Sequence, residues 1–458
     1  MRTHDLIVVG AGSGNMVVDD RFADLDVAIV EERRFGGTCV NYGCIPSKML
    51  AYTAGISDTV ARAEEFGVGA TSTGMRWRDV RDRVFTRTDG VAEDGAAGRE
   101  RTGFITVYRG HARFIGPRRL SVSTDDDTVE ITAERIVVAT GGRPVVPDAV
   151  ADSGLPFETS DTVMRIDSAT ERLAVLGGGY IAAELAHVFA SAGSAITIVE
   201  KSDRLLGGPQ DDDLRVAYTD MIRSRYDLRC GRELTEITGT PDDLVLHLDD
   251  GSQVRADTLL IAAGRTPNSD RLEVHNAGID THDDGRIVVD DYCRTTAEGV
   301  FALGDVSTPT PLKHVANREA AVVKHNLLHP RDPRTVSHDL VPSAVFTQPQ
   351  LASVGRSETG CREDDLDYRV GVAAYADVAY GWAMQDRTGL CKVLAGPDGT
   401  ILGAHILGDQ AATLIQIFVV AMNFGITADD LAHRPYWIHP ALTEVVENTL
   451  LNLRRPTS

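Results

Sequence analysis

The 458 residues predict an α/β chain, with two Rossmann-like dinucleotide-binding folds followed by a C-terminal α+β domain. Three observations carry that prediction. Near the start, the apolar run Leu6-Ile7-Val8-Val9 enters Gly10-Ala11-Gly12-Ser13-Gly14-Asn15, and a second run, Val27-Ala28-Ile29-Val30, ends in Glu31. The pattern then recurs as Leu173-Ala174-Val175-Leu176, Gly177-Gly178-Gly179-Tyr180-Ile181-Ala182-Ala183-Glu184, and Ala195-Ile196-Thr197-Ile198-Val199 ending in Glu200. From Leu340 onward the character changes to short strand-like runs, Ser343-Ala344-Val345-Phe346 and Cys391-Lys392-Val393-Leu394, with helices following from Ala411 and Ala428. That mixture reads as a separate α+β unit.

Within each repeat the order is strand, glycine turn, helix, strand and acid. Continuous apolar strands suit a parallel sheet buried on both faces. Gly10 allows the tight turn, Gly12 lets backbone approach a pyrophosphate, and the following helix turns its N-terminus toward that charge. Glu31 stands where an acid accepts from ribose hydroxyls. Asn15 replaces the third small residue, which weakens the first copy slightly; the second continues as a helix to Ala192. Three further strand-to-glycine transitions end at Gly141-Gly142, Gly264-Arg265 and Gly304-Asp305. Asp305 falls at the carboxyl end of its strand, where open α/β sheets bind ligands.

Between the first acid and the rest lies Gly36-Gly37-Thr38-Cys39-Val40-Asn41-Tyr42-Gly43-Cys44-Ile45-Pro46-Ser47-Lys48-Met49. A disulfide between Cys39 and Cys44 would close a very short loop, and the strain of such closure favours an exchange-competent bond over a structural staple. Lys48, four residues after Cys44, shares its face if a helix starts there, and a nearby ammonium supplies thiolate. Zinc would want a second pair at comparable spacing, whereas Cys230, Cys293, Cys361 and Cys391 are scattered singly. No metal site is expected.

A formal net charge of -21 argues against nucleic acid or an anionic membrane as partner. Six cysteines are too few for a secreted disulfide scaffold, and the first strand leaves no room for a signal peptide. A cytoplasmic protein is expected. Near the other end, Trp437-Ile438-His439-Pro440-Ala441-Leu442-Thr443-Glu444 places a histidine before a helix that carries Glu444. The pair suits a positioned general acid/base near neutral pH, or equally a structural histidine bonded to a carboxylate.

Taken in order, these motifs resemble the pyridine nucleotide-disulfide oxidoreductases of the glutathione reductase and lipoamide dehydrogenase type, over essentially the whole chain. Within that family Gly12–Asn15, Thr159–Ile166, Asp377–Met384 and Trp437–Leu442 are similar to the mycothione reductase branch. The resemblance implies domains at 1–145 (FAD-binding, first part), 146–267 (NAD(P)-binding), 268–338 (FAD-binding, second part) and 339–458 (dimerisation), and a homodimer. It implies hydride passing from NADPH or NADH through FAD to the cysteines and on to a small-molecule disulfide. Cys44 would be the flavin-proximal charge-transfer thiolate and Cys39 the interchange thiol; His439, oriented by Glu444 and supplied by the other subunit, would protonate the leaving thiol. FAD would be held by Gly10, Gly12, Ser13, Gly14, Glu31, Gly37, Thr38, Lys48, His111, Ala112, Thr140, Gly141, Arg265 and Asp305. The nicotinamide nucleotide would be held by Gly177, Gly179, Tyr180, Ile181, Glu184, Glu200, Lys201 and Gly264, with Tyr180 gating its pocket and Glu184 paired with Lys48. Where glutathione-type members carry arginine, this chain has Val18-Asp19-Asp20, whose charges would repel a polyanionic disulfide yet tolerate an uncharged sugar-bearing one, or else would merely face solvent in so acidic a protein. Glu200 repels a 2′-phosphate and favours NADH, against the branch's NADPH habit, with Lys201 and Arg204 partly offsetting it. An NAD-linked dihydrolipoamide dehydrogenase is the alternative.

Overall fold

The computed structural model describes residues 1–125, 127–208 and 210–455. Strands β1 (Arg2–Val9) and β2 (Val27–Glu31) lie parallel, with Val9 opposite Val30. Their apolar residues are buried on both faces, which accounts for the unbroken rather than alternating pattern. The connection between them departs from expectation. Instead of an α-helix, two 3-10 turns, Gly14–Met16 and Asp20–Phe22, carry the chain across. Asn15 and the β-branched Val17 and Val18 are poor helix formers. Asp19 then accepts from the backbone N–H of Arg21, which starts a fresh turn and prevents a continuous helix.

Helix α1 (Gly37–Asn41), helix α2 (Cys44–Arg62) and helix α3 (Trp77–Glu100) follow. From α3, Arg99 reaches back to the broken connection. It donates to Oδ1 and the carbonyl of Asn15, both at 2.7 Å, and to the carbonyl of Val18 at 2.8 Å. One guanidinium thus satisfies carbonyls that a helix would have satisfied internally. Strands β3 (Ile105–Arg109), β4 (His111–Gly116), β5 (Arg119–Ser123) and β6 (Thr128–Val138) complete the sheet in the order β3-β2-β1-β6-β5-β4.

The second fold repeats the first with β7 (Arg172–Leu176), α4 (Tyr180–Ser191), β8 (Ala195–Glu200), α5 (Asp212–Arg223), β9 (Asp227–Cys230) and β10 (Thr258–Ile261). Its parallel order is β9-β8-β7-β10. Here the connecting helix is complete. Strand β11 (Val300–Ala302) then returns to pair with β6, and α6 (Lys313–Leu328) follows. Leu50 and Ala54 of α2 are fully buried in one cluster with Ala182, Leu185 and Phe189 of α4. Trp77 lies against Phe189 with ring centroids 4.8 Å apart. Fully burying a side chain such as Leu50 contributes roughly 2 kcal/mol, so packing against the second fold, together with α3, holds the cysteine-bearing helix in place.

The last unit is an antiparallel sheet of β12 (Ser343–Val345), β13 (Gln350–Gly355), β14 (Arg369–Ala374), β15 (Leu390–Ala395) and β16 (Ile401–Gly408), ordered β12-β13-β16-β15-β14. Helices α7 (Ala411–Asn423), α8 (Ala428–His433) and α9 (Thr443–Leu451) pack on it. Buried Lys392 on β15 fastens this sheet to α5 through Asp211 at 2.9 Å and Asp213 at 2.6 Å. Among the described residues no helix is long and apolar enough to cross a membrane.

Candidate active site

Gly37 sits at φ +57, and a Cβ there would lie 2.8 Å from the Cα of Gly12. The two glycines therefore let the cysteine-bearing turn rest directly on the first nucleotide turn. Cys39 lies within α1, while Cys44 is the first residue of the 19-residue α2, where the helix N-terminus favours a thiolate. A hydrogen bond from the Cys39 thiol, aided by the ammonium groups of Lys48 and Lys313 and opposed by burial, brings the Cys44 pKa down to about 7. Giving its proton to that bond, and its own burial, push Cys39 upward. Cys44 is the sulfur that ionises first.

One turn on, Lys48 Nζ donates to Glu184 Oε2 at 2.6 Å. Glu184 is 3% exposed on α4, and its other oxygen accepts from the backbone N–H of Phe346 at 3.0 Å. Three parts of the chain meet at that carboxylate. Lys313 Nζ, on α6, donates to Ser13 Oγ at 2.9 Å.

A cavity of about 1110 Å³ runs from the first glycine turn past both cysteines to α4. Gly10, Gly12, Ser13, Glu31, Gly37, Thr38, Lys48, His111, Ala112, Thr140, Gly141, Arg265 and Asp305 line it, as do Gly179, Tyr180, Ile181 and Glu184. Gly14 does not; it is buried, and a Cβ there would press on Ala139 and Val8. Gly177, Glu200, Lys201 and Gly264 also lie outside this lining. Glu200 nevertheless does for the second turn what Glu31 does for the first. Glu31 accepts from the N–H groups of Ala11 at 2.7 Å and Arg33 at 2.8 Å; Glu200 accepts from Gly178 at 2.5 Å and Ser202 at 2.7 Å.

The cavity suits FAD on its own features. A Cβ at Gly10 would lie 2.3 Å from the carbonyl oxygen of Ala139, so only glycine lets the turn close against that strand end, and Gly10, Gly12 and Ser13 then line the cavity where a pyrophosphate would sit. The buried hydroxyl of Thr140 has no hydrogen-bond partner, and burial raises the Asp305 carboxyl, leaving both ready for polar atoms of a ligand.

His439, Glu444, Asp19 and Asp20 lie apart from this cavity within one chain. His439 Nδ1 donates to Glu444 Oε1 at 2.8 Å, and this contact holds Glu444 below the usual carboxylate range. Yet the His439 side chain is 71% exposed, and neither residue lines the cavity of the cysteines. As expected, His439 stands before a helix that carries Glu444, α9, which begins at Thr443. Asp19 and Asp20 do not face the cavity either. Asp19 pairs with Arg21 at 2.6 Å and Lys324 at 2.9 Å, so its charge is balanced locally, and neither Asp19 nor Asp20 meets a substrate held in this cavity.

Sequence reasoning missed Lys313 and Arg99. Lys313 and Ser13 are 300 residues apart and share no local pattern. Arg99 had one faint signal, the Asn15 that interrupts the glycine motif.

Residues 4–321 match the family model described as pyridine nucleotide-disulphide oxidoreductase, and residues 341–450 match its dimerisation domain. The chain is 46% identical over 463 residues to mycothione reductase of Mycobacterium tuberculosis, covering 99% of this chain and 100% of that protein. It is 33% identical over 447 residues to glutathione reductase of Burkholderia cepacia (96% of this chain, 97% of that one). With dihydrolipoyl dehydrogenase of Haloferax volcanii the figure is 32% over 457 residues (96% and 94%). Among solved structures, the Cu(II) complex of the HOCl-induced flavoprotein disulfide reductase RclA from Escherichia coli superposes with a TM-score of 0.88 at 27% identity, covering 98% of this chain and 99% of that one.

Proposed function

Because the chain belongs to the pyridine nucleotide-disulphide oxidoreductase family, whose members bind FAD and NAD(P)H, we propose that it reduces mycothione to mycothiol in the cytoplasm as a homodimer. The observation that carries the disulfide chemistry is the hydrogen-bonded Cys39–Cys44 pair, with Cys44 ionised near pH 7, facing a cavity that runs between two nucleotide turns. The choice of mycothione rests on the 46% identity to the mycobacterial reductase. The division at 1–145, 146–267, 268–338 and 339–458 belongs to the same proposal; each of the three large sheets draws its strands from within one of the units so joined.

FAD would be held by Gly10, Gly12 and Ser13 of the first turn, by Glu31, and by Thr140, Arg265 and Asp305, and would supply the electron-passing chemistry between nicotinamide and sulfur. The chain's own residues handle the thiol exchange. The two sulfurs of the reduced pair share one proton, so attack by Cys39 requires that proton to leave. His439 of a second copy, fixed in one orientation by Glu444, accepts it. Cys39 sulfur then bonds to one substrate sulfur, the substrate S–S bond breaks, and the imidazolium returns the proton to the departing thiolate. Cys44 thiolate next attacks the Cys39 sulfur of the mixed disulfide, leaving a Cys39–Cys44 disulfide and releasing the second substrate half as a thiolate that takes its proton from water. Exposure of His439 beside fully exposed Tyr436 and largely exposed Ile438 supports a partner covering that face.

Turnover of mycothione, glutathione disulfide and lipoamide, each with NADH and NADPH, tests the reading. Mycothione should give the highest kcat/KM, with NADH used appreciably; preference for lipoamide would replace the proposal with the dihydrolipoamide dehydrogenase reading. Cys39→Ser should retain flavin and nucleotide binding and lose disulfide turnover by at least about a thousandfold.

A further inference from the structure

The link between α1 and α2 consists of Tyr42 and Gly43, and it joins the helix that holds Cys39 to the one that begins with Cys44. Its first end is anchored, because Asn41 Nδ2 donates to the carbonyls of Phe35 at 2.9 Å and Gly37 at 3.0 Å. Gly43 has no side chain, so the ring of Tyr42 is the handle by which the rest of the link can be held. The guanidinium of Arg33 lies over that ring, 4.1 Å from its centroid. Such a stack suits a planar cation better than a compact ammonium. Arg33 is itself fixed at both ends. Its backbone N–H donates to Glu31 Oε1 at 2.8 Å, and its Nη1 donates to Asp161 Oδ2 at 2.8 Å. The Asp161 side chain is 12% exposed, and its own backbone N–H donates to Thr159 Oγ1 at 3.2 Å. Arg33, Tyr42, Cys39 and Cys44 line the same cavity, and Asp161 stands outside its lining.

Resting on the reading of Cys39 and Cys44 as the redox pair, we propose that Arg33, aimed by Asp161, is a positioning residue: its stack on Tyr42 holds the turn between the cysteines in the shape from which the two thiols close to a disulfide. Closing even a short loop costs chain entropy, and a turn that is already ordered has paid less of it on closure. Ordering therefore raises the effective concentration of one thiol at the other. Without the stack, the open dithiol gains conformations that the closed disulfide lacks. The reduced form is then favoured, and the pair becomes easier to reduce. Asp161 precedes β7, so the clamp runs from the entry of the second nucleotide fold, through the chain just beyond Glu31, to the cysteine turn.

The test is the thiol–disulfide equilibrium of the flavin-loaded protein with dithiothreitol and its cyclic disulfide. The cyclic disulfide takes two electrons and two protons from the Cys39 and Cys44 thiols and becomes dithiothreitol, while the two protein sulfurs bond to each other. Free thiols are alkylated after an acid quench, and the peptide holding both cysteines is measured by mass. Arg33→Met and Tyr42→Val should each lower the equilibrium constant for closure about fivefold, which is a potential about 20 mV higher at roughly 30 mV per tenfold. Tyr42→Phe keeps the ring and should stay within about twofold of the wild type. The R33M/Y42V double variant should match the lower of the two single variants, because both remove one contact. An unchanged constant in R33M, or effects that multiply in the double variant, overturns the proposal. If R33M sheds its flavin, Asp161→Asn is read instead: a fall of about twofold supports the assignment and no fall overturns it. Should the wild-type peptide stay a dithiol across the whole series, the redox-pair reading itself fails, whatever Arg33 does.

Discussion

The two nucleotide folds of this chain use one device and support it differently. In each, an acid at the end of the second strand accepts two backbone N–H groups, one from the glycine turn and one from the chain just beyond the acid. In each, the first glycine of the turn has a left-handed φ and closes against a carbonyl of the neighbouring strand end. The support beneath the turn is where they part. The second turn opens into a complete helix that satisfies its own backbone and carries Tyr180 and Glu184 to the cysteines. The first opens into two short 3-10 turns whose carbonyls are satisfied from outside, by Arg99, and whose Ser13 is held by Lys313. A turn backed by a helix carries its own stability; a turn backed by distant side chains inherits theirs.

The largest effect should come from the feature both folds share. Gly10→Ala and Gly177→Ala each place a Cβ 2.3 Å from a carbonyl oxygen at φ +102 and +111 respectively. The combined strain and overlap is about 4 kcal/mol. Flavin retention on gel filtration should be lost in the first and kept in the second, where nicotinamide nucleotide binding by titration should fail. Equal loss of flavin in both would break the correspondence drawn between the turns.

Next in size is the feature they do not share. Arg99→Met removes three hydrogen bonds from the first connection and leaves two carbonyls unsatisfied, a cost of about 3 kcal/mol. Urea unfolding of the flavoprotein should show it, with flavin fluorescence released ahead of global unfolding. Release coincident with global unfolding, at an unchanged midpoint, would mean that the 3-10 connection needs no outside support.

The smallest effect concerns the acids. Glu200→Gln keeps one oxygen for the backbone of Gly178 but removes the charge that, on the proposed reading, would repel a 2′-phosphate. The ratio of kcat/KM for NADH over NADPH should fall about tenfold, or about 1.4 kcal/mol. An unchanged ratio would assign nucleotide choice elsewhere, with Lys201 and Arg204 the next residues to vary.

Much of the architecture was legible because its causes are local. Glycine turns, buried parallel strands and a Cys-x4-Cys before a helix each follow from backbone sterics and from the period of apolar residues. The sequence therefore specified where Gly10, Gly177, Cys39, Cys44 and both acids would stand. It misjudged the connection after Gly14, where the pattern of a repeat suggested a helix and the residues Asn15, Val17, Val18 and Asp19 argued against one. It also left Asp19 between a substrate-facing and a solvent-facing role, where a lysine 305 residues away pairs with it.

What the sequence by itself determined is the chemistry carried by short stretches: a thiol pair, two turns able to hold phosphates, and a histidine with its carboxylate five residues on. What only the tertiary structure decided is which charges meet. Lys48 reaches Glu184, Lys313 reaches Ser13, Arg99 reaches Asn15, and His439 is left facing outward. The physical reason is range. Turn and strand preferences act within a few residues, whereas electrostatics acts through space and is set by distances that folding alone creates.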